Sequence, residues 1–174
     1  MIQLEDGDII LVKVNKFKTW YKYLLAKAIQ FFDGVYYHHA QMYFEGAIWE
    51  ANETVQRNST LVNRGDDVIV FRLKKRLRLE EHERLKEFLE KSKGRNYDYL
   101  GTMFFQVLYI LTFRRIWLGP SGRHARKHYY CTELVTRPMR DIRGYFPQSH
   151  KIGPSTLLDL LPLHYNAVYE GVWD

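Results

Sequence analysis

The chain has a single cysteine, Cys131, and seven histidines from which a partner for it could be drawn. A free thiol is only a few per cent thiolate at neutral pH, so a working nucleophile needs a cation or a helix N-terminus to lower its pKa from about 8.5. The sequence around Cys131 offers both. Leu134, Val135 and Met139 follow at helical spacing, which predicts a helix opening close to the cysteine, with unpaired N–H groups near the sulfur. The same N–H groups could form an oxyanion hole for a tetrahedral intermediate. The hydroxyls of Tyr130 and Thr132, on either side of the cysteine, and that of Tyr97 are further substrate or oxyanion candidates. Tyrosine is abundant here, and packing is its commoner use.

A base for the thiol has to arrive from a distant part of the sequence, because Cys/His pairs meet in space rather than along the chain. His38 and His39 both qualify by type, and since alternate strand residues face opposite sides, one of them at most can point at a given site. Glu50 favours His39. With a tight turn at Glu45-Gly46, it falls roughly opposite His39 on the next strand, within reach to orient an imidazole. His39 is therefore the expected base and Glu50 its orienter, with His38 facing away and His82 and His150 at the surface. Two plainer uses of the cysteine stand beside this. A lone thiol is commonly an inert buried hydrophobe. His124, His128 and Cys131 also have a His-x3-His-x2-Cys spacing that could hold zinc, although the glycine, proline and arginine around His124 point to a flexible loop.

The elements that must position these residues can be read from pattern. Gly7-Asp8 reads as a turn, and Ile9 to Val12 as a short, β-branched, buried strand at the centre of a sheet. His39 to Phe44 and Ala47 to Ala51 read as a hairpin, and Asp67 to Leu73 as a further strand. Helical spacing runs from Phe17 to Phe32 and returns with Leu85, Phe88 and Leu89, where Gly94 supplies the stop. The apolar stretch Met103 to Leu118 is broken by Gln106, Thr112 and Arg114-Arg115. It is too short and too charged for a membrane span, and reads as a buried or interfacial helix. With the basic run Arg114 to Lys127 it would make an interfacial anchor that prefers anionic surfaces.

The order Gly7-Asp8-Ile9-Ile10, His39-Ala40, Glu50-Ala51, Tyr97-Asp98 and Tyr130-Cys131-Thr132-Glu133-Leu134-Val135 resembles the circularly permuted branch of the NlpC-type papain-like superfamily. Bacterial YiiX-like proteins and their poxvirus relatives look closest, and lecithin retinol acyltransferase-like enzymes more distant. The resemblance runs from Gly7 to Ile152-Gly153-Pro154-Ser155, which is similar to the family's late proline-containing turn. It implies an α+β fold in which the catalytic-cysteine helix packs against an antiparallel sheet and the histidine precedes the cysteine in sequence. Carried over, it makes Cys131 the nucleophile, His39 the base and Glu50 the orienter, with no cofactor. Thr132 stands where the family often has serine and keeps the hydroxyl. The long basic insertion between Tyr97-Asp98 and Cys131 is a larger departure, so the family's substrates do not carry over.

Composition bounds the rest. At 174 residues and 46% hydrophobic content, the chain is long enough for one sizeable core, and we read one domain over 1–174. One cysteine excludes an internal disulfide and a multi-cysteine zinc site. The start, Met1-Ile2-Gln3-Leu4-Glu5-Asp6-Gly7-Asp8, has no signal-peptide pattern, so a cytoplasmic protein able to associate with membranes is expected. A net charge of +6 implies an anionic partner; no recognition motif accompanies it, which makes nucleic acid the weaker expectation. The expected activity is a cysteine-dependent hydrolase or acyltransferase cleaving an amide or ester through a thioester. The resemblance permits a peptide, a murein-like stem or a lipid acyl group as substrate, and the sequence selects none of them. The alternative is a non-catalytic membrane- or partner-binding module on the same fold.

Overall fold

Short β-branched and aromatic runs supply the strands, which in chain order are β1 (Ile9–Lys13), β2 (His39–Phe44), β3 (Ala47–Ala51), β4 (Val55–Asn58), β5 (Asp67–Leu73), β6 (Asn96–Tyr97), β7 (His128–Tyr129) and β8 (Tyr165–Val172). The helices are α1 (Leu79–Ser92), α2 (Cys131–Arg143) and α3 (Pro154–His164), with a 3₁₀ turn at Ser149–Lys151. The computed structural model describes residues 2–13, 27, 37, 39–59, 65–97 and 128–173. Outside them lie the expected Phe17 to Phe32 helix, except for Lys27, which is helical, and the Met103 to Lys127 stretch. His38, Asp98 and His124 lie outside them too.

The architecture is α+β. Six strands form an antiparallel sheet in the order β4-β3-β2-β1-β5-β8, and β6 and β7 form a separate parallel pair. As expected, β1 lies inside the sheet, between β2 and β5. The β2–β3 hairpin closes on Glu45 and Gly46 at φ 47° and 71°. Two consecutive positive φ values define the primed turn whose twist matches that of the paired strands. The register corrects one expectation: Glu50 pairs with Gln41, not with His39, so it reaches the histidine diagonally.

Alternation sorts the sheet into two faces. Ile9, Leu11, Ala40, Met42, Trp49, Ile69 and Phe71 face the helices, packing with Leu134, Val135 and Met139 of α2 and Leu85 and Leu89 of α1. Each of those helix residues is fully buried, worth about 1.5–3 kcal/mol apiece. Ile10, Val12, Ile48, Val68 and Val70 make a smaller cluster on the other face. Gly7-Asp8 pins this sheet at one end. Gly7, at φ +89°, donates its N–H to the Tyr43 carbonyl at 2.9 Å, and the Asp8 carbonyl accepts from Tyr43 N–H at 2.9 Å. The buried Asp8 carboxylate takes Arg72 Nε at 3.1 Å and a second Arg72 nitrogen at 2.9 Å, tying β1 to β5.

Candidate functional site

α2 begins at the cysteine because Tyr130 leaves the β6–β7 layer in an extended conformation and Cys131 takes the first helical turn. Tyr129, just before it, is buried with the guanidinium carbons of Arg95 and Arg137 at 5.6 and 5.4 Å from its ring centre and with Phe88 edge-on. The flanking hydroxyls anchor the start of the helix to the later turn. Tyr130 Oη donates to the Ser149 carbonyl at 3.1 Å, and Thr132 Oγ1 to the Ile152 carbonyl at 2.5 Å. Both protons are thus committed to the turn rather than held for an oxyanion. Tyr97 is half-buried against the main core.

Cys131 is 5% exposed, and its sulfur meets the beginning of β2. There the β2–β3 ladder starts only at Gln41–Glu50, so the Ala40 N–H is not taken up by β3 and donates to the thiol, as does the Thr132 N–H in the first turn of α2. His39, the first residue of β2, forms a hydrogen bond with the same sulfur. Its Nε2 lies 2.9 Å from Glu50 Oε2, which leaves Nδ1 as the ring nitrogen for the thiol. Glu50 is 3% exposed and fully engaged: Oε2 also accepts from Gln41 Nε2 at 2.9 Å, and Oε1 from Asn58 Nδ2 at 2.9 Å.

The electrostatics follow from this chain of bonds. Burial opposes a charge on His39, but the hydrogen bonds to Cys131 and Glu50 outweigh it and hold the imidazole up to about 10. Burial likewise opposes the Cys131 thiolate, yet the imidazolium and the two backbone N–H groups bring the thiol below its ordinary range. Glu50 is pushed up by burial and pulled further down by His39, Gln41 and Asn58, so it stays ionised. A thiolate–imidazolium pair held by a buried carboxylate is the chemical state this geometry favours.

The three residues singled out as nucleophile, base and orienter are thus brought into one hydrogen-bonded row. Gln41 and Asn58 were not foreseen. Gln41 could have been found from the strand period, two residues beyond His39 on the same face; Asn58 lies on β4, which the sequence pattern does not announce. His82 is not the surface residue expected: its ring is 4.5 Å from that of Phe44 and its Nε2 is 2.9 Å from Asp6. His150 is half-buried rather than at the surface. Of the zinc alternative, His124 lies outside the described residues and the thiol is engaged by His39.

No family model matches the chain. No curated protein matches it either. Among solved structures, the chain is similar to the metalloprotein yiiX from Escherichia coli O157:H7, with a TM-score of 0.64 at 15% identity over 99% of this chain and 100% of that one. At that identity the likeness is one of fold.

Proposed function

We propose that the chain is a cysteine-dependent hydrolase or acyltransferase built on a permuted NlpC-type papain-like fold. Cys131 is the nucleophile, His39 the general base and acid, and Glu50 the residue that orients the imidazole. One observation carries this reading: His39 is bonded to the Cys131 sulfur and, through its other nitrogen, to the buried Glu50. An inert buried cysteine has no need of an imidazole on its sulfur or of a three-donor carboxylate behind that imidazole.

In the proposed reaction the thiolate attacks the carbonyl carbon of an amide or ester, and the C=O electron pair moves onto oxygen. Backbone N–H groups at the start of α2 stabilise that oxyanion. On collapse, the C–N or C–O bond breaks and His39 gives its proton to the departing amine or alkoxide, leaving a thioester on Cys131. Water or another acceptor then loses a proton to His39, attacks the thioester and releases the thiolate. Glu50 keeps the proton on Nε2 throughout, so that Nδ1 carries the traffic.

The structurally similar yiiX is a metalloprotein. Among the described residues of this chain, no group of three or more His, Cys, Asp or Glu side chains could hold a metal ion. Glu50, the carboxylate nearest the thiol in the row, already accepts three hydrogen bonds. These residues do not fit a metal, and the mechanism uses none.

Thiol-reactive peptide, murein-stem and lipid-ester mimics, read by intact mass, test the reading. One adduct per chain is expected on the wild type and none on Cys131→Ala, with labelling slowed in His39→Ala. If the folded wild type reacts no faster than a simple alkyl thiol with every mimic, the enzymatic reading is lost.

A further inference from the structure

At the opposite end of α2 from the cysteine, about 18 Å along the helix, lies an open cavity of about 480 Å³. Its charge is one-sided. Lys75, Arg76, Arg78 and Arg143 line it, with Glu81 as the one carboxylate. Arg143 forms the fixed part. It is nearly buried, and its guanidinium is clamped by Glu81 at 2.7 Å and by the carbonyls of Lys75 and Arg76 at 2.6 and 2.7 Å. That clamp holds the 75–78 segment in place while satisfying Glu81. Arg76 and Arg78 stay mostly in solvent, their side chains 84% and 78% exposed, on 3.2–3.3 Å contacts with Glu5 and Glu81. Exposed pairs of that kind are weak and exchange readily for a stronger anion.

Leu79 follows Arg78 directly and is 79% exposed. Leu163, 64% exposed, precedes His164, whose ring stacks at 3.7 Å on Tyr145 in the cavity wall. Two of the most exposed large apolar side chains among the described residues therefore flank a cationic hollow. Guanidinium forks match phosphate oxygens, and apolar side chains beside them match the acyl region beneath a headgroup.

We propose that this cavity binds the phosphate of an anionic lipid headgroup and docks this end of the molecule on a membrane surface. Leu79 and Leu163 enter the bilayer interface and Arg76 and Arg78 close on the phosphate. The site is separate from Cys131 and does not depend on the enzymatic reading, so Cys131→Ala protein binds membranes as the wild type does.

Co-sedimentation of the full chain with phosphatidylcholine vesicles, with and without phosphatidic acid, tests the proposal. The wild type is expected to prefer the phosphatidic acid vesicles. A basic side chain at an anionic surface contributes roughly fivefold to binding, so Arg76→Gln/Arg78→Gln should lose roughly 25-fold. The matched pair Lys91→Gln/Lys93→Gln, at the far end of α1, should lose less than about threefold. Leu79→Ser/Leu163→Ser should weaken vesicle binding while leaving inorganic pyrophosphate binding, measured by calorimetry, unchanged. Absence of a vesicle preference, or equal losses in the two charge pairs, would overturn the proposal. Pyrophosphate binding that depends on Arg76 and Arg78 without any vesicle binding would overturn the lipid as its source. Circular dichroism confirms that each variant is folded before it is compared.

Discussion

At the scale of single residues, the candidate site is a problem in proton placement. Two opposed effects act on His39 and on Cys131, burial against charge and partners in favour of it, and for both residues the partners win. The signs then fix a pH profile. A thiol with a depressed pKa is thiolate below the ordinary thiol range, so alkylation of Cys131 should set in at lower pH than that of a free thiol and fall away as acid protonates the sulfur. The ion pair should persist until His39 loses its proton near about 10. Glu50→Gln keeps a hydrogen-bonding group and removes the charge behind the imidazolium. The alkylation profile is therefore expected to move upward in pH, and turnover to fall by roughly tenfold or more, since each pKa unit is a factor of ten. The new amide oxygen can take the place of Oε2 and keep His39 and Gln41, and Asn58 can turn its own amide oxygen toward the new NH2, so the protein should remain folded. An unmoved profile with wild-type turnover would take Glu50 out of the site.

At the scale of elements, what could be read from the sequence was whatever depends on local pattern. The hairpin that carries His39 and Glu50 shows in period-two alternation around Glu45-Gly46, and the start of α2 shows in the spacing after Cys131. Three elements left no such trace. β4 is a four-residue edge strand of which Val55 alone is buried, β8 is an edge strand mostly facing solvent, and α3 is apolar on several sides with Pro162 inside it. Tertiary pairing makes the two strands, and the burial of Leu157 and Leu161 against the core fixes α3, so local pattern alone does not announce them. The diagonal placement of Glu50 is by contrast a local consequence: a two-residue turn at Glu45-Gly46 sets the register to Gln41–Glu50, two residues along β2 from His39. Gly7 shows how a motif can belong to the fold rather than to the chemistry. A Cβ there would sit 2.7 Å from Leu73 Cδ1, on a backbone at φ +89°. Gly7→Ala is expected to cost about 1–3 kcal/mol, read as a lower urea midpoint at unchanged slope. A midpoint equal to the wild type's would mean that the turn relaxes without strain.

At the scale of the whole molecule, α2 is held at both ends by polar contacts that its apolar middle does not provide. At its start, Tyr130 and Thr132 fasten it to the Ser149–Ile152 turn. At its end, Arg143 joins it to α1 through Glu81 and to the segment leaving β5 through two carbonyls. Glu81 receives Arg143 Nε at 3.2 Å and a second Arg143 nitrogen at 2.7 Å, and it also accepts the Arg78 backbone N–H at 2.8 Å. The arginine and that N–H hold its carboxyl at about 2. A depressed carboxylate contributes stability that is present above its unfolded value, about 4.3, and is lost as pH falls through the folded value near 2. Glu81→Gln leaves a nearly buried guanidinium without its counter-charge, and removing one partner of such a pair costs about 3–5 kcal/mol. The variant should therefore be less stable than the wild type by about that amount at neutral pH. The two urea midpoints should converge as the wild type is acidified from about 4.3 toward 2. Because the cysteine end of α2 has its own fastening, the Cys131 alkylation profile of the folded variant should not move. A stability gap that stays constant across the acid range would mean that Glu81 acts through packing and capping rather than charge. A shifted alkylation profile would mean that the two ends of α2 are coupled.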